Sequence, residues 1–282
     1  MRILPDSGLQ ERLLAHLHEV VRERDPAAAP DGHAHVQAYI GRVLAGFGEV
    51  RMQAFAHLGR IHHNLILNLP GNAGRPFILV GAHFDAAPGS PGADDNGSAL
   101  AVLLELARVF SAAPVRHPLR LVAFDLEERG QAGSRAYANE LTARGERPKL
   151  MISLEMLGYR DARPGSQRYP AGLRHFYPAT ADFIALLGNL RTLPMLRRLA
   201  CTMRKAVPCE FLAVPLCGRV LPDSRRSDHA AFWDAGYPAI MVTDTANMRN
   251  PHYHRPGDRI ETLDLDFLAA VCRGLAAGLR AL

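Results

Sequence analysis

Apolar residues fall along this chain in two alternating patterns. Near the start, Leu9, Leu13, Leu14, Leu17, Val20 and Val21 recur at the spacing of one helical face, after a Ser7-Gly8-Leu9-Gln10 stretch that resembles a capping box. Val36, Ile40, Val43, Leu44 and Phe47 mark a second face. From residue 49 the pattern changes to short apolar runs: Asn64–Leu69, Phe77–Gly81, Leu119–Phe124, Leu150–Leu154 and Ala239–Val242. Runs of this length between turn residues predict strands buried on both faces. Helical stretches are expected between them at Ser98–Phe110, Ser134–Leu141 and Thr180–Leu190, with Leu265–Leu279 closing the chain. Strands alternating with helices predict an α/β layered sheet. The stretch 158–178 reads as a long excursion and 201–226 as the least legible segment. The chain reads as one domain, 1–282, with N-terminal helices 7–47 packed on it.

Composition narrows the function classes. The 282 residues are 48% hydrophobic and 22% charged, which is ordinary for a globular chain. The net charge of +5 comes from 31 Arg and only two Lys against 28 acids. These Arg are scattered, without the basic stripe of a nucleic-acid binder, so no nucleic-acid partner is expected. They read as background, with a role at the substrate mouth left open. No apolar run reaches membrane-spanning length. The first residues lack the apolar segment of a secretory signal, so a cytoplasmic location and no membrane partner are expected. Cys201, Cys209 and Cys217 stand eight residues apart, unlike the close pairs of a zinc knuckle, and read as free thiols.

The chemistry lies where the apolar runs end. His83 and Asp85, Asp125, Glu127 and Glu128, Glu155, and Asp244 each follow such a run. Ligands in open α/β sheets bind outside the carboxyl ends of the strands, so these side chains are expected to converge. An acidic Pro91–Gly97 turn (PGADDNG) and a Pro-rich loop with His252 and His254 add further donors. Mixed nitrogen and oxygen donors suit zinc, and also cobalt or manganese. Phosphate-loop, dinucleotide, HExxH and GxSxG signatures are absent from the sequence.

The segments GAHFDAAPGSPGADDNGSALAVLLELA, LVAFDLEERGQAGSRAYA, ISLEMLGY and SDHAAFWDAGYPAIMVTDTANMRNPHYHRPGD together resemble the zinc-dependent exopeptidase family. That family includes bacterial leucyl aminopeptidases, aminopeptidase Y, glutamate carboxypeptidase and the glutaminyl cyclases. The resemblance spans roughly residues 62–270. It implies a three-layer α/β/α sandwich with a central, mostly parallel mixed sheet, and two divalent metal ions, zinc first among them. By the same resemblance, His83 and Glu155 bind one metal, Glu128 and His254 the other, and Asp94 bridges both. His252 is the competing candidate for His254, but the motif's Tyr precedes the latter. Asp85 stands behind His83 as a catalytic partner, Glu127 is the general base, and Asp95 shapes the turn through a cis peptide joining it to Asp94. Bacterial leucyl aminopeptidases carry Asp where this chain has Glu155, and Glu is also an oxygen ligand.

The expected activity is removal of N-terminal residues from a peptide substrate. Asp228 and Tyr253 are the candidate substrate-binding residues. A single-zinc glutaminyl cyclase is the alternative: Asp228 aligns with a carboxylate that the cyclases use, but Tyr253 stands where they have Trp, which argues against it. A carboxypeptidase or dipeptidase would use an Arg, such as Arg160, Arg249 or Arg255, to hold a carboxylate. A non-enzymatic relative would be expected to have lost ligands.

Overall fold

In the computed structural model, residues 8–170 and 172–282 are described. Ser7, and with it the expected capping box, lies outside them. Strands β1 (Val50–His57), β2 (Arg60–Leu69), β3 (Ile78–His83), β4 (Leu119–Phe124), β5 (Leu150–Glu155), β6 (Ile184–Asn189), β7 (Cys209–Val214) and β8 (Ala239–Thr243) form one sheet. Its order is β1-β2-β4-β3-β5-β8-β6-β7. Strands β4, β3, β5 and β8 are mutually parallel, so their carboxyl ends share one edge. β1 and β2 continue the sheet antiparallel on one side, and β6 and β7 reverse direction against β8 on the other.

Side-chain alternation divides the apolar residues between two layers. Ile78, Val80 and Ala82 of β3 pack on one side, with Leu121 of β4 and Ile152 of β5. That side is covered by α1 (Leu9–Val20), α2 (Pro30–Ala45), α3 (Ala99–Ala112), α5 (Leu193–Met203) and α7 (Leu265–Ala281). Leu79, Val122 and Met151 face the other way, against α4 (Ala132–Ala143) and α6 (His229–Asp234). The arrangement is the expected three-layer sandwich. Gly81 leaves room for the Phe124 ring, whose Cε2 would stand 2.3 Å from an added Cβ.

The expected helix at Thr180–Leu190 is instead β6. Its Ala and Leu residues favour a helix on their own, but the segment pairs with both β7 and β8. Tertiary pairing overrides local propensity there. β1 and β7 are edge strands that the apolar runs did not reveal, because only Gln53 of β1 is buried and the middle of β7 is half-exposed. The short α6 and the amphipathic α5 were also not anticipated. Among the described residues all four cysteines are free, and no helix is long and apolar enough to cross a membrane.

α6 starts on His229, which is wholly buried, donates from Nε2 to the Ser224 carbonyl at 2.8 Å and meets Trp233 edge-on. Burial pushes this imidazole down to about 4. An unfolded chain takes up the proton near ~6.5, so this group's contribution to stability is complete above that pH and is lost as pH falls toward 4. Between about pH 7 and about pH 5 the protein is expected to lose ~2 kcal/mol more unfolding free energy than a His229→Gln variant. Urea titrations at both values check this. Parallel losses would mean that His229 is not held neutral.

Candidate metal centre

Three strand ends and two loops build the site. His83 and Glu155 are the last residues of β3 and β5. Glu127 and Glu128 follow β4 through Leu126, which has a φ of 57°. Asp85 joins two of these ends: its Oδ1 accepts from the Glu127 amide at 3.0 Å and its Oδ2 from the Glu128 amide at 3.1 Å. The same carboxylate stands 3.3 Å from His83 Nδ1. Asp85 thus lies on the Nδ1 side of His83 and under the start of the Glu127–Glu128 segment.

The acidic turn departs from expectation by one residue. Asp95, not Asp94, faces the convergence point. Its Oδ1 lies 3.3 Å from His83 Nε2, and its Oδ2 lies 3.1 Å from His254 Nε2. Asp94 turns the other way: Oδ1 accepts from the Gly158 amide and Ser98 Oγ, and Oδ2 from Asn250 Nδ2. All of these partners are buried, so Asp94 holds the loop and does not reach the histidines. The cis peptide likewise joins Asp95 to Asn96, not Asp94 to Asp95. Adjacent side chains in a turn point apart, and composition alone does not say which of the two points inward.

Two groups of donors result. His83, Asp95 and Glu155 bring three atoms within 4.8 Å of one another, as do Asp95, Glu128 and His254. Asp95 belongs to both. Glu155 Oε2 lies 3.7 Å from His83 Nε2, and Glu128 Oε2 lies 3.2 Å from His254 Nε2. His252 joins neither group; its ring packs against Gly257. Among the described residues, the buried atoms His83 Nε2, Asp95 Oδ1 and Glu128 Oε1 find no hydrogen-bond partner. Buried polar atoms left this way carry a desolvation cost that a cation would relieve, and a set of imidazoles and carboxylates fits zinc. A cation is thus compatible with the residues present.

The electrostatics follow from this crowding. Burial works against a charged His83, but Asp85, Asp95 and Glu155 hold its imidazole well above the usual range. Burial likewise opposes His254, yet Asp95 and Glu128 raise it to about 10. Burial lifts the Glu127 carboxyl well above its ordinary value; His83 opposes this, and Glu155 and Asp228 add to it. Burial also raises Asp228, to about 7.

Several residues that the sequence did not single out hold this arrangement. Asp258 accepts from the Asp94 amide at 2.9 Å and from the Asp95 amide at 3.0 Å, gripping the acidic turn from the far loop. Ser227 Oγ donates to Glu155 Oε2 at 2.7 Å. The sequence signal for Asp258 was only its place after the two-His loop. Asp228 is wholly buried behind the site, and neither of its oxygens has a hydrogen-bond partner. Tyr253 stacks on His254 with ring centroids 3.8 Å apart.

Beside Glu155 and Tyr253 lies a cavity of about 120 Å³, walled by Tyr169, Tyr177, Phe211, Leu212, Met241 and Met248 among others. Asp228 is not on its wall. Arg249 is 5% exposed, and its Nη1 donates to the Ala181 and Phe183 carbonyls. Arg160 faces Asp264 at 3.3 Å. Neither is placed as a free clamp for a substrate carboxylate.

A sheet whose parallel strand ends gather imidazoles and carboxylates defines a metallohydrolase type of site. Residues 64–195 and 216–278 match the description Peptidase family M28, and the chain belongs to that family. It is therefore a peptide hydrolase by class. The protein YfbL of Escherichia coli K12 is 35% identical over 281 residues, covering 94% of this chain and 85% of that one. The crystal structure of the LapA aminopeptidase of Legionella pneumophila superposes with a TM-score of 0.75 at 18% identity, covering 100% of this chain and 76% of LapA. A Bacteroides thetaiotaomicron glutaminyl cyclase bound to N-acetylhistamine superposes with a TM-score of 0.70 at 16% identity, covering 97% of each chain. At those identities the likeness is one of fold. The chain spans about half the length of the fungal leucine aminopeptidases that it also matches.

The exchange of roles between neighbouring aspartates is open to a direct check. Asp95→Asn removes a charge from both donor groups and is expected to weaken divalent-cation uptake by at least about tenfold, whereas Asp94→Asn should fall short of that loss. Zinc competition against a chromophoric chelator reads the difference. Equal losses in the two variants would deny Asp95 its separate place.

Proposed function

We propose that this chain is a two-metal aminopeptidase, most readily a di-zinc enzyme, in which residues 1–282 act as one catalytic domain on the N-terminal residue of a peptide. The observation that carries the reading is the Asp95 carboxylate, which stands between His83 and His254. His83, Asp95 and Glu155 would hold one cation, and Asp95, Glu128 and His254 the other. When bound, such ions polarise a scissile carbonyl and make water a stronger nucleophile near neutral pH.

The protein's own groups supply the proton handling. Glu127 belongs to neither donor group, although its neighbour Glu128 does. Its raised proton affinity suits it to take a proton from the attacking water and deliver it to the leaving amine nitrogen. Asp85 fixes where Glu127 and Glu128 start, through their amides. Ser227 fixes Glu155. The aromatic and aliphatic cavity beside Glu155 supports a preference for a large apolar N-terminal side chain. The presence of both complete donor groups favours this reading over a single-zinc cyclase.

Glu127→Gln is expected to keep its metal while turnover of leucine p-nitroanilide falls at least about 100-fold. Acetylating the substrate's amine should abolish cleavage, and the apolar leucyl substrate should outpace a glycyl one. One equivalent of zinc, no amide hydrolysis and ammonia release from glutaminyl peptides would overturn the aminopeptidase reading. Unchanged turnover in Glu127→Gln would remove that residue from the chemistry.

A further inference from the structure

We infer that Arg24, in the connector between α1 and α2, is a positioning residue for the metal centre: its buried guanidinium clamps the His83–Asp85 and Pro91–Asp95 segments together. The inference rests on the reading of the site as a cation-binding centre.

Arg24 is 0% exposed, and its hydrogen bonds run to main-chain carbonyls. Nε donates to the Phe84 carbonyl at 2.8 Å, between His83 and Asp85. Nη1 donates to Pro91 at 2.6 Å, and Nη2 to Gly92 at 2.9 Å and Asp95 at 3.3 Å. The remaining bonds, from Nη1 to the carbonyls of Val20 and Arg22, anchor the guanidinium in its own segment at 3.1 and 3.2 Å. One rigid fork thus spans both loops that carry the imidazole and the shared carboxylate. A lysine ammonium is a single point with three donors and cannot make that span.

The acidic turn is shaped to admit it. Gly92 has a φ of 61°, and a Cβ there would stand 2.8 Å from Nη2, 2.9 Å from Nη1 and 2.2 Å from the Asp95 carbonyl oxygen. The fixed charge also lies among acids. Burial lowers the Arg24 pKa, while Asp95, Asp258, Asp85 and Glu128 act in the opposite direction. Asp25, next in the chain, extends the brace to a third loop: it accepts from Arg129 Nη2 at 2.6 Å, one residue past Glu128. Ala27 and Ala28 hold that aspartate through their amides. The segments matched to the peptidase family begin at residue 64, so this brace comes from outside them.

The test uses the full chain with Arg24→Lys and Arg24→Gln. Zinc affinity is read by chelator competition, metal geometry by the absorption spectrum of the cobalt(II) form, and folding by circular dichroism. Both variants are expected to bind zinc at least about tenfold more weakly, as when an outer partner of a metal ligand is lost. They should show an altered cobalt spectrum, and kcat on leucine p-nitroanilide should fall by a larger factor than KM rises. Wild-type affinity and spectrum in a folded Arg24→Gln variant would overturn the inference. Variants that misfold alone but fold with saturating zinc would support it. Misfolding that zinc does not reverse would overturn it, because Arg24 would then serve the fold at large. If the unsubstituted chain took up no divalent cation, the reading of the site would fail and this inference with it.

Discussion

The structure depends on burying many carboxylates at one edge of a sheet. Asp85, Asp94, Asp125, Asp228, Asp244 and Asp258 are 0% exposed, and Asp95 is 3% exposed. Isolated anions would not remain charged in such a place, so each needs hydrogen-bond donors or countercharge. Most find amides. Asp85 takes those of Glu127 and Glu128, Asp258 those of Asp94 and Asp95, and Asp244 those of Tyr159 and Ala246. Asp125 is held by His33 and His62. Asp95 differs from Asp85, Asp125, Asp244 and Asp258: among the described residues its Oδ1 has no hydrogen-bond partner, and it belongs to both donor groups. The outer carboxylates act on the backbone and set the loops in place. The inner set is what remains for a cation.

That division explains why the sheet has the form it has. Strands buried on both faces tolerate charge only at their ends, and the parallel run β4-β3-β5-β8 brings those ends to one edge. The loops leaving the edge are then tied across it: β3 to β4 through Asp85, and the acidic turn to the far loop through Asp258. The less regular side of the sheet, around β6 and β7, contributes to the apolar cavity through Phe183, Phe211 and Leu212. The polar donor edge and the apolar cavity are thus opposite kinds of surface that meet at Glu155 and Tyr253.

The parts legible in the sequence were those with a strong periodic or end signal. The four central strands are apolar runs, and the donors at their ends could be named before any coordinates. The turn at Asp94 and Asp95 was legible as a motif but not in its register, since backbone direction decides which carboxylate faces inward. β6 was read as a helix because Ala and Leu carry helix propensity, whereas its pairing with β7 and β8 is a long-range effect. About half of the cavity wall comes from 158–178 and 201–226, where irregular backbone around the edge strand β7 leaves little period to read. Arg24 gave no signal at all. It stands in the charged stretch Arg22-Glu23-Arg24-Asp25 of a connector, and its acceptors are carbonyls up to 71 positions away.

The excess of arginine therefore acquires a different meaning. Read from composition, 31 Arg against two Lys is a background surface charge. Arg24 and Arg249, however, are buried on different sides of the acidic edge, at 0% and 5% exposure. Arg24 lies among Asp95, Asp258, Asp85 and Glu128, and Arg249 acts on Asp244 and Asp94. Arg24 places its donors on main-chain carbonyls, whereas Arg249 gives Nη1 to the Ala181 and Phe183 carbonyls and Nε to the Gln167 and Thr245 side chains, and stacks over Phe183 at 4.7 Å. Weak hydration and a planar fork make guanidinium the cation best suited to such burial. These residues are thus internal countercharges, which offset part of the cost of burying the acids without occupying the donor atoms left for a metal.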